Sequence, residues 1–206
     1  MYPVPEDATE LFALYRKVYD LTGGSVTPLI GDVLVSLGYE PHRITMHVPA
    51  VLDIGAGGKG HLIDIIGRLL EREGIMSYVI EAGGDILQKS VVGTPLRVGL
   101  EDPRDATQVL GVAEIINRSI CGSAGNRRAW NGFHHIVDPF LLSSPTEISA
   151  VWVVADTAFL ADILTTALFF ASPDTLAPHF DFTYAFVSRD GVWTASPDFP
   201  GEFFST

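Results

Sequence analysis

Between Ala50 and Glu81 the chain changes its hydrophobic period twice. Ala50-Val51-Leu52-Asp53-Ile54 is apolar and strand-like, and the run from Gly55 to Gly60 is dominated by glycine. His61 to Glu73 carries apolar residues at helical spacing up to Gly74, and Ser77 to Glu81 returns to a strand pattern ahead of Ala82-Gly83-Gly84-Asp85. A strand, a glycine turn, a helix and a strand in that order belong to a layered α/β or α+β fold, because each element has one face to bury against another.

The rest of the chain reads on either side of that unit. Ala8 to Leu21 has the spacing of an amphipathic helix stopped by Gly23-Gly24, and Ser25 to Gly38 holds turn residues followed by a short apolar helix or turn. Ile44 to Val48 is β-like. Leu96 to Leu100 and Gln108 to Ile116 read as strands around the turn Glu101 to Asp105, with further strands at Ser119–Ser123, Phe133–Val137 and Ser149–Val154. A helix is expected over Thr157–Ala171 and a helical stretch around Pro173 to His179, then strands Phe182–Ser188 and Val192–Ala195. With no repeat or linker visible, the 206 residues are expected to form one domain, 1–206.

Composition narrows the partners. Hydrophobic residues make up 47% and charged residues 18%, enough apolar surface for a sizeable core. The net charge is −12 and the lysines and arginines are scattered, densest at Asn126-Arg127-Arg128, so nucleic acid is not an expected partner. An acidic chain that holds a polyanion needs main-chain N–H groups, a metal ion or a well-placed lysine. The single cysteine, Cys121, excludes an internal disulfide and a cysteine-based metal site, and its flanks look like a buried strand end. No apolar run reaches the roughly 20 residues of a membrane span. No secretory signal is visible at Met1 to Asp7, so the chain as given is expected in the cytoplasm, or exported if its natural beginning is missing.

Four constellations could carry chemistry. Asp53-Ile54-Gly55-Ala56-Gly57-Gly58-Lys59-Gly60 leads into a helix N-terminus and suits phosphate, yet it lacks the Ser or Thr of a P-loop and serves equally as a tight turn. Ala82-Gly83-Gly84-Asp85 repeats the theme, and the two turns together suggest a shared cleft. His134 and His135 are adjacent, so at most one faces a given site, as a general base or as a structural histidine. Asp162 and Thr166 lie four apart in an apolar helix, where both can offer oxygen to a hard cation such as Mg²⁺, or where each can serve the helix itself.

Taken in order, these motifs, with Leu96-Arg97-Val98-Gly99 and Asp102-Pro103, His135 to Pro139 and Ala161 to Ala167, resemble those of the ApbE family over roughly residues 8 to 206. The resemblance implies an α+β fold, a mixed or antiparallel sheet with flanking helices. It implies Mg²⁺-dependent transfer of FMN from FAD to a Thr or Ser hydroxyl of an acceptor protein, with release of AMP. It further implies metal ligation by a main-chain oxygen near Ala56 with Asp162, Thr166 and Thr165, and flavin-nucleotide contacts at Ser25, Val26, Thr27, Asp53, Lys59, Gly83, Gly84, Asp85 and Val137. His135 would activate the hydroxyl, and Asp162 would share in catalysis. Two departures stand out: family members carry a further segment before this point, and Val26-Thr27-Pro28-Leu29 lacks the acidic residue usual after the Gly-Gly pair. An FAD pyrophosphatase giving FMN and AMP, or a non-catalytic flavin-binding module, are the alternatives.

Overall fold

A computed structural model describes residues 6–37 and 52–204; the β-like segment expected at Ile44 to Val48 lies outside them. The helices α1 (Glu6–Leu21), α2 (Gly31–Ser36) and α3 (Gly58–Arg72) precede strands β1 (Tyr78–Ala82), β2 (Asp85–Lys89), β3 (Leu96–Asp102), β4 (Asp105–Ile115) and β5 (Ser119–Ala124). The short strands β6 (Ala129–Trp130) and β7 (Phe133–His134) pair with each other. Then follow β8 (Ile148–Ala155), α4 (Ala158–Ala167), α5 (Pro173–Leu176), β9 (Thr183–Ser188), β10 (Trp193–Ala195) and β11 (Gly201–Phe203).

The large sheet has the order β1-β2-β5-β8-β9-β10 and a smaller sheet the order β11-β4-β3, with antiparallel pairing throughout. Period-two alternation sorts the large sheet's residues to two faces. Cys121, Val151, Val153 and Ala155 face α1, α3 and α4, while Ile120, Ala150, Trp152 and Val154 pack on Leu100, Ala113 and Ile115 of the small sheet. The result is three layers, the α+β architecture with flanking helices expected from the sequence. Burying side chains such as Ile163 and Leu164 of α4 contributes about 1.5–3 kcal/mol each.

Three local readings change, the first being that the strand expected over Phe133–Val137 is confined to Phe133–His134. Leu52-Asp53-Ile54 is not a strand: the large sheet already ends at β1, and Asp53 N–H donates instead to the Pro28 carbonyl at 2.7 Å. The helix after it starts at Gly58 rather than near His61. Glycine is required at 60 for packing, since a Cβ there would stand 2.2 Å from the Ala158 carbonyl oxygen where α3 crosses α4. The second glycine turn is a hairpin tip, Gly83 and Gly84 having φ of +63° and +96° between β1 and β2, a conformation that suits a two-residue connection.

Candidate functional site

Asp64 locks α3 to α4. Its buried carboxylate accepts the Ala158 and Phe159 N–H groups, both at 2.9 Å, and so caps α4 from a neighbouring helix, while Thr157 caps it from within through Leu160 N–H at 3.2 Å. Burial raises the Asp64 carboxyl above the usual range, and the two N–H bonds oppose the rise. With the helices fixed, Gly60 N–H donates to Asp162 at 3.0 Å and the Lys59 ammonium stands 3.4 Å from the same carboxylate.

Lys59 also donates to Asp85, which is fully buried at the start of β2. One positive charge thus serves two buried carboxylates. Burial, then the Asp85 charge, push the Asp162 carboxyl up to about 7, against the pull of Lys59. Burial also raises Asp85, again opposed by Lys59. Lys59 itself is raised: burial disfavours its charge, but Asp162 and Asp85 more than compensate. The Asp85 Oδ1 has no hydrogen-bond partner among the described residues, and neither has the buried hydroxyl of Tyr15 on α1. Cys121 lies wholly buried beneath this cluster, its thiol donating to the Ala158 carbonyl at 3.5 Å, and burial raises it far above a reactive range.

Lys59 and Asp162 border a cleft that gathers most of the positions singled out in the sequence. Ser25, Val26 and Thr27 line one side, Asp53, Ala56 and Lys59 another, Asp162 and Thr166 the floor, and Gly83, His135 and Val137 the remaining rim. Gly84, Asp85 and Thr165 do not line it. Gly84 belongs to the hairpin tip, and Asp85 lies behind Lys59. The fully buried Thr165 hydroxyl donates to the Asp162 carbonyl at 2.6 Å and stands 2.7 Å from Ser123 Oγ.

The two histidines take different partners, His134 at the end of β7 and His135 in the bend that follows it. His134 Nε2 is 2.9 Å from the Pro145 carbonyl, and His135 Nδ1 is 3.2 Å from the Arg127 carbonyl. A carbonyl only accepts, so Nδ1 of His135 carries the proton and Nε2 keeps its lone pair. Burial, then the nearby Arg128 charge, bring His135 down to about 4, so its ring is neutral at pH 7.

The cleft also contains residues not singled out as a site from sequence: Arg127, Arg128, Ser123, Ile30 and Phe170. The arginines were visible as the densest basic spot of an acidic chain, and their position between β5 and the histidine segment was the signal that they face the same place. Among the described residues no three His, Cys, Asp or Glu side chains converge as a metal site.

A family model described as the ApbE family matches residues 40–181. The proteins named FAD:protein FMN transferase from Salmonella typhimurium and Escherichia coli K12 are 23% and 29% identical to the chain over 81% and 84% of its length. The chain spans about 60% of the length of these curated relatives. Among solved structures, the ApbE protein of Thermotoga maritima superposes with a TM-score of 0.80 at 20% identity, covering 94% of this chain and 77% of that one. The flavin transferase ApbE of Vibrio cholerae gives 0.75 at 20% identity, covering 96% and 77%. The fold, the order of the motifs and the matched segment lead to one statement of kinship: the chain belongs to the ApbE family.

Proposed function

We propose that the cleft binds FAD with Mg²⁺ and transfers FMN to a Thr or Ser hydroxyl of an acceptor protein, releasing AMP. The observation that carries this reading is the meeting of oxygen donors and cations in one cleft: Ala56, Asp162 and Thr166 beside Lys59, Arg127 and Arg128. The named activity of the relatives agrees with it.

The donor set fits a hard cation, since it consists of oxygens and the cluster already holds more buried negative charge than Lys59 can neutralise. The Ala56 carbonyl, Asp162 and Thr166 would hold Mg²⁺, with Thr165 buttressing from behind. A bound Mg²⁺ neutralises charge on the pyrophosphate. Ser25, Val26, Thr27, Asp53 and Val137 would contact the nucleotide, and Lys59 with the two arginines would offset the charge that builds on the phosphoryl oxygens. The acceptor hydroxyl oxygen forms a bond to the FMN phosphorus as the bond from that phosphorus to the bridging oxygen breaks, and AMP leaves with the bridging oxygen. The hydroxyl proton passes to Nε2 of neutral His135 and on to solvent.

The test is incubation of the chain with FAD and MgCl₂, with and without an acceptor bearing a Ser/Thr flavinylation motif, following AMP and acceptor mass together. AMP with flavin on the acceptor is expected, and Asp162→Ala should lower the rate at least a hundredfold. AMP without labelled acceptor would instead indicate an FAD pyrophosphatase, and FAD binding without AMP a flavin-binding module.

A further inference from the structure

A second cavity lies on the other face of the large sheet, between the two sheets. Ile86, Ile120, Ala150 and Trp152 form its floor, and Val98 and Gly99 of β3 overhang it. β3 is an edge strand: one side pairs with β4, and the other has no strand partner among the described residues. A free edge offers a row of main-chain N–H and C=O groups to any extended chain laid beside it.

This cavity and the cleft share a border of Gly83, Gly122, Ser123, Ala124, Arg127 and Arg128, where the large sheet ends. At the crossing, a Cβ on Gly122 would come within 3.1 Å of the Trp152 ring, so a side chain there would narrow the passage. Arg127 ties the border to β3 through two 2.7 Å bonds to Glu101, which fixes the edge relative to the cleft. Arg128 borders both spaces and has no carboxylate at ion-pair distance among the described residues.

We propose that the second cavity is the docking groove for the acceptor polypeptide, which adds in extended form along the free edge of β3 and reaches its hydroxyl over Gly83 and Gly122 into the cleft. This rests on the transferase reading above. At about 3.3 Å per residue, the seven residues of β3 offer an edge some 20 Å long. A flat flavin ring has no use for such an edge, whereas a polypeptide matches its spacing. Arg128, with no carboxylate at ion-pair distance among the described residues, selects a segment with an acidic residue near the reacting hydroxyl.

Synthetic twelve-residue peptides with one central Thr, and either Asp or Lys two positions away, supply the probe, with labelling read by mass and β3 protection by amide exchange. The wild type should label Asp peptides at least fivefold better than Lys peptides, and peptide binding should slow exchange along β3. Val98→Trp fills the second cavity without lining the cleft, and should lose at least tenfold in labelling while FAD affinity and peptide-free AMP release stay within twofold. Val79→Trp, on the free edge of β1, should change nothing. Unchanged labelling in Val98→Trp, a parallel loss of FAD affinity, or no protection of β3 by any peptide would overturn the docking site. The exchange measurement on wild type decides the matter even if Val98→Trp folds poorly, and peptide-free AMP release reports separately on the flavin chemistry.

Discussion

The two faces of the large sheet are built on opposite principles. Toward the helices it covers Asp64, Asp85, Asp162 and Thr165, all buried, and the helices are joined there by hydrogen bonds to charge. Toward the small sheet it buries Leu100, Ala113, Ile115, Trp152 and Val154, and cohesion comes from apolar area. A fold that needed only stability would not bury two carboxylates against one lysine and a third on main-chain N–H groups. The contrast teaches that the helical layer gives up stability to keep charge poised at the cleft, and the small sheet supplies part of what is lost.

The contrast can be broken most severely at the helix crossing. Gly60→Ala places a methyl group 2.2 Å from main-chain oxygen, which no rotamer change relieves, so α3 and α4 must separate. The expected cost is 3 kcal/mol or more, on the order of the largest overpacking effects, with loss of FAD binding, as read by denaturant titration and fluorescence. On the other face, Leu100→Ala should cost about 2–4 kcal/mol by cavity formation yet leave FAD affinity nearly unchanged. If both variants lost FAD binding alike, the division of labour between the faces would be wrong.

The smallest effect is the most specific to charge. Asp162 is held at about 7, above its unfolded value near 4. Between those limits the folded chain keeps a proton that the unfolded chain has released, so this residue's contribution to stability declines as pH rises through that window. Asp162→Asn should therefore gain on the wild type in Tm from about pH 4 to about pH 7 and no further above it, as followed by calorimetry. Leu100→Ala should show a constant offset.

Much of the large-scale order was legible because it is local. The helical period of α1, α3 and α4, the strand patterns of β3 and β4, the near-continuous apolar run of β8, and the glycine pair between β1 and β2 all act over a few residues. Cleft residues such as Asp162 and Thr166 were singled out through the order of motifs rather than through their own chemistry, since each has an ordinary structural explanation taken alone. What could not be read depends on distant partners. The purpose of Gly60 lies at Ala158, the purpose of Asp64 at the same helix end, and the Glu101 carboxylate that holds Arg127 lies 26 positions away from it. Leu52–Ile54 shows the converse, an apolar run with no sheet edge left to join. The three residues of β11 are too short to carry a period at all.

The pairing of α3 with α4 also sets when in folding the site appears. Gly60 and Asp162 are separated by 102 positions in the chain, and Asp64 and Ala158 by 94. Contacts of such sequence separation are entropically costly to close and form only when the intervening strands are already in place. A ribosome that has not yet released α4 therefore carries a chain with Lys59 and Asp85 but without Asp162, and the cleft cannot be completed before that helix emerges.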